Sequence, residues 1–325
     1  MRFLLLLPVM LAVCLQICDA GAGSVVERVK ARGIVRCGSV ERPGLARPAG
    51  QGLWSGLNVD ICRAVAVALL GSPGRIEYHG YGAPKDFDAV RNGQDDLYFL
   101  TGSEIAEQKL AGRVVPGPAV FMESDVVMVP TASVARRIDG LAREGICFMI
   151  GSAAERGLEA YFETEHKEWF RRAFSEYGEM NDAYNAQSCR AIAGELTTLA
   201  ALRLDPGVNR LPSRILPEPL AAFPEIAATG TDDAQWSALV AWTVHTLVSA
   251  ERQETRWYAG GAGAMPVVAQ ELGLDKEWQR RVIKAVGNYG DIFERNLGKD
   301  SPLKLDRGLN TNQSLGGLLL GPFIE

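Results

Sequence analysis

Hydrophobic and polar positions along the first hundred residues form blocks that predict helices and strands in turn. Residues Val25 to Arg32 have a helical pattern that Gly33 ends, and a strand over residues 34–38 is expected directly after it. The amphipathic stretch from Ile61 to Leu70 predicts another helix, with Asp60 near its N-terminus. Short elements are then predicted in the order strand, helix, strand: residues 75–81, 86–92 and 96–100. This alternation is typical of a parallel sheet that helices cover.

The same alternation restarts after the apolar run Val126 to Pro130. The second half is predicted to contain helices at residues 138–142, 153–162, 166–174, 184–186 and 196–203 and strands at residues 145–150 and 190–193. A proline-rich connector at residues 212–224 follows, then a long helix at residues 234–252 and a glycine-rich loop at residues 260–263. Further helices are predicted to close the chain. We therefore predict an α/β fold with two lobes and a ligand cleft between them.

The N-terminal segment has the pattern of a secretory signal peptide. Arg2 precedes an apolar run from Phe3 to Ile17, and small residues at 20–22 resemble a cleavage site. We therefore expect residues 1–22 to be removed on export, the alternative being a buried N-terminal helix. No later stretch reaches about 18 uninterrupted apolar residues, the length that crossing a bilayer requires. Within the mature chain we predict two lobes. Lobe 1 consists of residues 23–130 plus 222–325, and lobe 2 of residues 131–221.

Composition excludes several classes of function. The formal net charge is −5 and the sequence pI is about 5.5, which argues against a nucleic-acid partner or an anionic membrane surface. The three histidines lie far apart and no cysteines have C-x-x-C spacing, so we expect no metal, and no motif indicates a cofactor. The chain also lacks G-x-S-x-G, H-E-x-x-H and Walker A patterns. We therefore expect a protein that is not an enzyme.

Four cysteines remain once Cys14 and Cys18 leave with the signal peptide. In an oxidising compartment an even number predicts two disulfides, for which three connectivities exist. We favour Cys37–Cys62 and Cys147–Cys189, because each pair then lies within one predicted lobe. Four buried free thiols are the alternative.

Several long motifs occur in an order that resembles a known family. They are Val29–Gly33 with Cys37-Gly38, Trp54–Ala66, Asp233–Trp236 with Ala241–Thr243, and the C-terminal run Lys276–Asn310. Together they resemble the solute-binding proteins of polar amino-acid ABC uptake systems, in particular the general L-amino-acid branch. The resemblance implies a type II periplasmic-binding-protein fold and a location in the periplasm, and we expect a monomer. It also implies capture of an amino acid or a derivative as the small-molecule ligand, and delivery to a membrane permease and its ATPase.

The resemblance also indicates where the ligand-binding residues should lie. The family's carboxylate-binding Arg falls on Gln108, and the polar segment before it falls on Thr101 to Ile105, which includes Ser103. The family's second donor loop, Gly-Thr-Thr-Thr-Glu, corresponds to Gly151-Ser-Ala-Ala-Glu155, where Ser152 keeps one hydroxyl. The Asp that holds the ligand ammonium corresponds to Glu195. Three expected polar anchors are therefore altered together.

Loss of the guanidinium predicts an altered carboxylate site, because a buried carboxylate without a paired cation is costly. An amine, a neutral amino-acid derivative or a peptide-like compound becomes a plausible ligand. The alternative is that Arg42 or Arg113 supplies the guanidinium from another position. Trp54, in a loop expected at the cleft mouth, is a further candidate for ligand contact, or else an aromatic that anchors its loop.

Two other functions stay open at this point. One is a periplasmic sensor or accessory protein that kept the fold and lost high-affinity transport. The other is a dehydratase-type lyase, in which Glu195 or Glu104 would be the acid–base group.

Overall fold

The structure is a computed structural model that describes residues 24–82, 87–107, 112–251 and 266–321. The predicted signal peptide, Gln108 and the glycine-rich loop at residues 260–263 lie outside the described residues. The strands are β1 (Val35–Val40), β2 (Arg47–Gly50), β3 (Leu53–Ser55), β4 (Ile76–Tyr81), β5 (Leu97–Thr101), β6 (Val115–Pro130), β7 (Gly145–Met149), β8 (Phe170–Phe174), β9 (Ala191–Glu195), β10 (Ser213–Ile215) and β11 (Ala221–Thr229). The α-helices are α1 (Val25–Arg32), α2 (Leu57–Leu70), α3 (Asp88–Arg91), α4 (Gly102–Glu107), α5 (Ala153–Thr164), α6 (Tyr177–Asn185), α7 (Leu196–Leu204), α8 (Ala234–Ala250), α9 (Pro266–Glu271), α10 (Trp278–Val286) and α11 (Tyr289–Asn296). Short 3-10 turns lie at Ile138–Leu141, Gly308–Asn310 and Gln313–Leu315.

Local signals explain the ends of the first helices. The Ser24 hydroxyl accepts a hydrogen bond from the Glu27 N–H, which caps α1, and Gly33 ends the helix in the left-handed region at φ 73°. Helix α2 begins at Leu57, earlier than the sequence pattern predicts, directly after the short hairpin β2–β3 and Gly56, whose φ of 136° redirects the chain into the helix. Both hairpin strands are largely exposed, so no alternation of apolar residues revealed them in the predicted loop.

A single mixed sheet runs through the molecule in the order β4-β1-β5-β11-β6-β9-β7-β8, and β10 pairs with β6. The outer strands are parallel, as the alternation predicts: β1 pairs with β4 and β5, and β7 pairs with β8 and β9. The prediction of a parallel sheet is wrong at the centre, where β6 runs antiparallel to both β11 and β9. The chain crosses directly there through long strands rather than through a helix.

Strand β6 belongs to two halves of the sheet. Its first part pairs with β11, and its residues Asp125 to Met128 pair with β9. Most buried side chains from residues 25–122 and 227–319 pack into one large cluster, whereas those from residues 126–216 form two others. The crossing strands β6 and β11 therefore run from one set of packed side chains to the other.

One predicted helix is in fact a strand. The pattern at residues 166–174 is helical in sequence, but β8 pairs in parallel with β7 from Gly145↔Phe170 to Met149↔Phe174. The side chains of β8 are mostly exposed, as is usual on an edge strand. Charged residues such as Arg171 are as common on an exposed edge strand as on a helix surface, so the pattern did not distinguish the two. The proline-rich connector likewise contains β10 and the start of β11.

Both predicted disulfides are present. Cys37 on β1 pairs with Cys62 on α2, with the Cα atoms 6.3 Å apart. Cys147 on β7 pairs with Cys189, with the Cα atoms 5.7 Å apart. Each bridge therefore fastens elements within one set of packed side chains, which confirms the favoured pairing.

Two of the sequence motifs contact each other. The Asp60 carboxylate accepts hydrogen bonds from Arg295 Nε at 2.8 Å and from Asn296 Nδ2 at 2.7 Å. Asp60 is thus a structural link between α2 and α11, in addition to lying in the first turn of its own helix.

Candidate ligand-binding site

A cavity of about 280 Å³ lies where the crossing strand β6 meets the ends of β5 and β9. Its lining comes from both sets of elements: Arg42, Thr101 and Glu104 from one, and Ser152, Arg156, Tyr177 and Glu195 from the other, with Asp125 of β6 between them. The ends of parallel strands in open α/β sheets are where ligands bind, so the position fits the predicted cleft.

Arg42 is the cation on the first side of the cavity. Its Nη2 lies 3.0 Å from Glu104 Oε1, and its Nη1 lies 3.9 Å from Glu225 Oε1. Nη1 forms no hydrogen bond with any described residue, although the atom is buried. Burial alone would lower the pKa of Arg42, but the neighbouring carboxylates, Glu225 first, raise it above its ordinary value. Arg42 is therefore a fixed positive charge that two carboxylates already share.

Thr101 and Glu104 fix the start of α4 through reciprocal hydrogen bonds. The Thr101 N–H donates to Glu104 Oε2 at 2.5 Å, and the Glu104 N–H donates to Thr101 Oγ1 at 3.2 Å. Ser103 is the second residue of this helix. The N–H and the hydroxyl oxygen of Thr101 thus both bond to Glu104, which holds the Glu104 carboxylate next to Arg42.

The N-terminus of α5 forms the opposite wall. Ser152 is its N-cap, and its Oγ accepts from the Glu155 N–H at 3.1 Å. Glu155 in turn accepts from the Gly151 N–H at 2.7 Å. The Ser152 hydroxyl therefore serves the helix itself, and the positive end of the helix dipole points toward the cavity wall that Ala153 completes.

Carboxylates dominate the floor of the site. Asp125 on β6 and Glu195 on β9 are register partners, and both line the cavity. Glu195 is also the N-cap residue of α7, and its Oε2 accepts from Thr198 Oγ1 at 3.3 Å. Glu123 lies buried two residues before Asp125, and its carboxyl oxygens accept from Thr197 Oγ1 at 2.5 Å and from the Ser124 N–H at 2.9 Å.

Burial changes the titration of these acids. It raises the pKa of Glu123 to about 8 and that of Asp125 to about 7, and in both cases the charge of Glu195 raises it further. Burial also raises the pKa of Glu225 to about 7, although Arg42 and the Asn58 carboxamide act in the opposite direction. The site therefore holds more carboxylates than cations, and some of them carry a proton near neutral pH.

The structure brings some of the predicted residues together and not others. Thr101, Ser152 and Glu195 line the cavity. Trp54 does not, because its ring lies over Gly80, where an added Cβ would come within 1.9 Å of it, and its centroid is 5.5 Å from that of Tyr78. Arg113 is exposed and is not part of the lining, whereas Arg42, the other alternative source of a guanidinium, is part of it.

Sequence reasoning missed Asp125, Arg156 and Tyr177. For Asp125 a signal was available, because Glu123 and Asp125 interrupt the apolar stretch that becomes β6. Charged residues in a buried strand are uncommon without a specific role. For Arg156 and Tyr177, which lie on surface helices with ordinary patterns, no such signal exists.

Two negative findings hold for the described residues. No group of three or more His, Cys, Asp or Glu residues in the described ranges is placed to hold a metal ion. None of the helices that the structure describes combines the length and apolar character needed to cross a bilayer.

Known proteins similar to this chain are binding proteins. The general L-amino acid-binding periplasmic protein AapJ of Rhizobium johnstonii is 31% identical over 323 residues, which cover 94% of each chain. The putative amino-acid ABC transporter-binding protein YhdW of Escherichia coli K12 is 31% identical over 336 residues, or 97% of this chain and 95% of that one. No family model matches the chain.

A solved structure is similar over almost the same length. A periplasmic binding protein of an ABC transporter from Brucella ovis, with glutathione bound, superposes with a TM-score of 0.74 at 29% identity. The match covers 93% of this chain and 99% of that one. Together with the relatives and the two-part sheet, it establishes that the chain has the type II periplasmic-binding-protein fold and belongs to the family of periplasmic amino-acid-binding proteins of ABC transporters.

Proposed function

We propose that this protein captures an amino-acid-like small molecule in the periplasm and that the ligand binds chiefly through a nitrogen cation held by Glu195. The observation that carries the proposal is the charge distribution around the cavity. Glu195 lines it and accepts only the Thr198 hydroxyl among the described side chains, whereas Arg42 is already shared by Glu104 and Glu225. Arg156 also lines the cavity, but it is exposed and donates to the Gly151 carbonyl, so solvent screens the contact that it offers a ligand carboxylate. The carboxylate of Glu195 is thus the favoured anchor, and it suits a ligand ammonium.

A ligand carboxylate, where present, is proposed to rest on the N-terminus of α5 rather than on Arg42. Backbone N–H groups and the helix dipole favour an anion there. The carboxylates of Glu104 and Glu225 already offset the positive charge of Arg42, so Arg42 attracts such an anion only weakly. The site is thus altered from one built around a free guanidinium, which favours amines, neutral derivatives and peptide-like compounds over acidic amino acids.

The remaining features of the protein follow from the same proposal. Residues 1–22 are removed as a signal peptide, and the monomeric mature chain delivers its ligand to a membrane permease and its ATPase without catalysis. The sets of side chains packed on either side of the crossing strands β6 and β11 act as the two lobes (residues 23–130 plus 222–325, and residues 131–221). Closure of the cleft around a ligand would reduce the radius of gyration measured by X-ray scattering.

The proposal is tested by a thermal-shift screen of the purified mature chain against L-amino acids, primary amines, dipeptides and glutathione. A ligand at about 100 times its dissociation constant adds about 2.7 kcal/mol to the free energy of unfolding. We expect compounds with a free ammonium group to raise the melting temperature and their N-acetyl derivatives to lose the effect. Equal shifts from an amino acid and its N-acetyl derivative would contradict the role of the nitrogen cation.

A matched pair of variants assigns the effect to Glu195. Glu195→Gln removes the charge and is expected to weaken binding about 10- to 100-fold, the usual worth of a hydrogen bond to a charged group. Glu163→Gln makes the same chemical change at an exposed position of α5 and should leave affinity unchanged. Strong binding of many common L-amino acids, acidic ones included, would contradict the altered carboxylate site. Turnover of a ligand into product would contradict a function limited to binding.

A further inference from the structure

Two carboxylates lie side by side on the floor of the cavity. Asp125 on β6 is the register partner of Glu195 on β9, and the two strands are antiparallel. Residues directly opposite in an antiparallel pair project from the same face of the sheet, with Cβ atoms about 4.5–5.5 Å apart. Since both residues line the cavity, a ligand that reaches Glu195 lies next to Asp125 as well.

Asp125 lacks the partners that a buried carboxylate needs. Only 2% of the residue is exposed, and its Oδ2 forms no hydrogen bond within the part of the chain that the structure describes. Arg156 is the cation whose charge acts on Asp125, but its guanidinium donates to the Gly151 carbonyl at 2.9 Å, and no ion pair joins it to Asp125 among the described residues. A buried polar atom without a partner costs stability, so the position suits a donor from beyond the described residues, such as a ligand.

A single ligand ammonium brings one positive charge to two acids, although its three N–H donors can contact both. Like charges directly opposite each other on a sheet destabilise the pair, so one cation leaves a net negative charge there unless Asp125 is protonated. Burial and the charge of Glu195 raise the pKa of Asp125 to about 7 although Arg156 acts in the opposite direction, which fits a carboxyl with too little positive charge beside it. A second positive group on the ligand would remove this imbalance.

We propose that Asp125 forms a second cation subsite and that the ligand carries two nitrogen cations separated by an apolar chain, as in a basic amino acid or an alkyl diamine. This inference rests on the proposed function, because the first cation is the one assigned to Glu195. The cavity also offers apolar contacts to a connecting chain of methylene groups through Met149, Met180 and Leu199. Asp125 is accordingly a residue that determines ligand specificity.

The test uses pairs of probes that differ in one terminal amino group. L-Lysine is compared with L-norleucine, and 1,5-diaminopentane with 1-aminopentane, by calorimetric titration of the mature chain at about pH 8, above the pKa of Asp125. Wild-type protein is expected to bind the doubly cationic member of each pair about 10- to 100-fold more tightly. Equal affinities within each pair would overturn the second subsite.

Variants locate the preference. Asp125→Asn should reduce the ratio of affinities within each pair to near unity while the singly cationic probes still bind. Asp182→Asn makes the same change of charge on the exposed surface of α6 and should leave the ratio as in the wild type. A ratio that persists in Asp125→Asn would place the second cation elsewhere and overturn the inference. Should Asp125→Asn fail to fold, the comparison of probes on wild-type protein still decides the question.

Failure of this inference can be told apart from failure of the proposed function. If the singly and doubly cationic probes bind equally well, Glu195 keeps its role and only the second subsite is lost. If no probe with a free ammonium binds to wild-type protein, the proposed function fails, and this inference fails with it.

Discussion

The side chain of Asn310 forms two hydrogen bonds with the backbone of Met122. Asn310 Oδ1 accepts from the Met122 N–H at 2.6 Å, and Asn310 Nδ2 donates to the Met122 carbonyl at 3.1 Å. The register partner of Met122 on β11 is Pro224, which has no N–H to donate to the sheet. The C-terminal motif therefore completes the hydrogen bonding of the crossing strand β6, just before the strand reaches Glu123 and Asp125.

Replacement of Asn310 by Ala should destabilise the protein. It leaves a buried donor and a buried acceptor of Met122 without partners, which we expect to lower the free energy of unfolding by about 2–4 kcal/mol. Urea denaturation of the mature chain measures the change. Gln313→Ala, at an exposed position nearby, is the control and should change stability by less than about 0.5 kcal/mol. A loss no larger than the control's would show that β6 does not depend on this contact.

Glu123 should make the stability of the ligand-free protein depend on pH. Its pKa is raised from 4.5 to about 8 in the folded state, chiefly by burial, so the folded protein holds a proton that the unfolded chain releases between these values. The free energy of unfolding therefore falls as the pH rises through this window, by up to about 1.4 kcal/mol per pH unit for this group. Asp125 and Glu225 act in the same direction up to about pH 7.

Glu123→Gln tests this origin of the pH dependence. The neutral amide can keep a hydrogen bond with the Thr197 hydroxyl and no longer titrates. We expect the variant to lose stability less steeply than the wild type in urea denaturations between about pH 5 and pH 9. Glu163→Gln should keep the wild-type slope. Equal slopes for Glu123→Gln and the wild type would mean that Glu123 is ionised in both states.

The sequence predicted those features that depend on local patterns or on motifs. The end of α1 at Gly33, the pairing of Cys37 with Cys62 and the placement of Ser152 and Glu195 at the cavity follow from patterns within a few residues, from lobe assignment or from a family motif. It did not predict that Asp125 faces Glu195, because strand register across β6 and β9 depends on long-range pairing. The edge strand β8 was missed since its exposed, charged residues carry no apolar alternation.

Trp54 should stabilise the fold without contacting the ligand. Its ring covers Gly80 and packs against Tyr78, outside the lining of the cavity. Trp54→Ala is therefore expected to lower the free energy of unfolding by about 2–4 kcal/mol, since it removes a large packed aromatic side chain. Affinity for any ligand found in the screen should stay within about twofold of the wild-type value, less than 0.5 kcal/mol. A much larger loss of affinity at equal folded fraction would place Trp54 at the ligand.

Arg42 should act mainly as the counter-ion of Glu104 and Glu225 rather than as the receptor for a ligand carboxylate. Arg42→Gln removes one partner of a buried charge cluster, for which a loss of about 3–5 kcal/mol is usual. The loss should be greater at about pH 8 than at about pH 6, because Glu225, with a pKa of about 7, becomes neutral on acidification and then needs its counter-ion less. Urea denaturation at the two pH values measures this difference.

The milder variant Arg42→Lys separates the two roles of the guanidinium in binding. It keeps the positive charge but not the planar set of donors that grips a carboxylate at two points. If Arg42 serves Glu104 and Glu225, the ratio of affinities for an amino acid and for the amine that lacks its carboxylate should be the same in Arg42→Lys and in the wild type. A selective loss of the amino acid would instead assign the ligand carboxylate to Arg42, through the Nη1 atom that forms no hydrogen bond within the described residues.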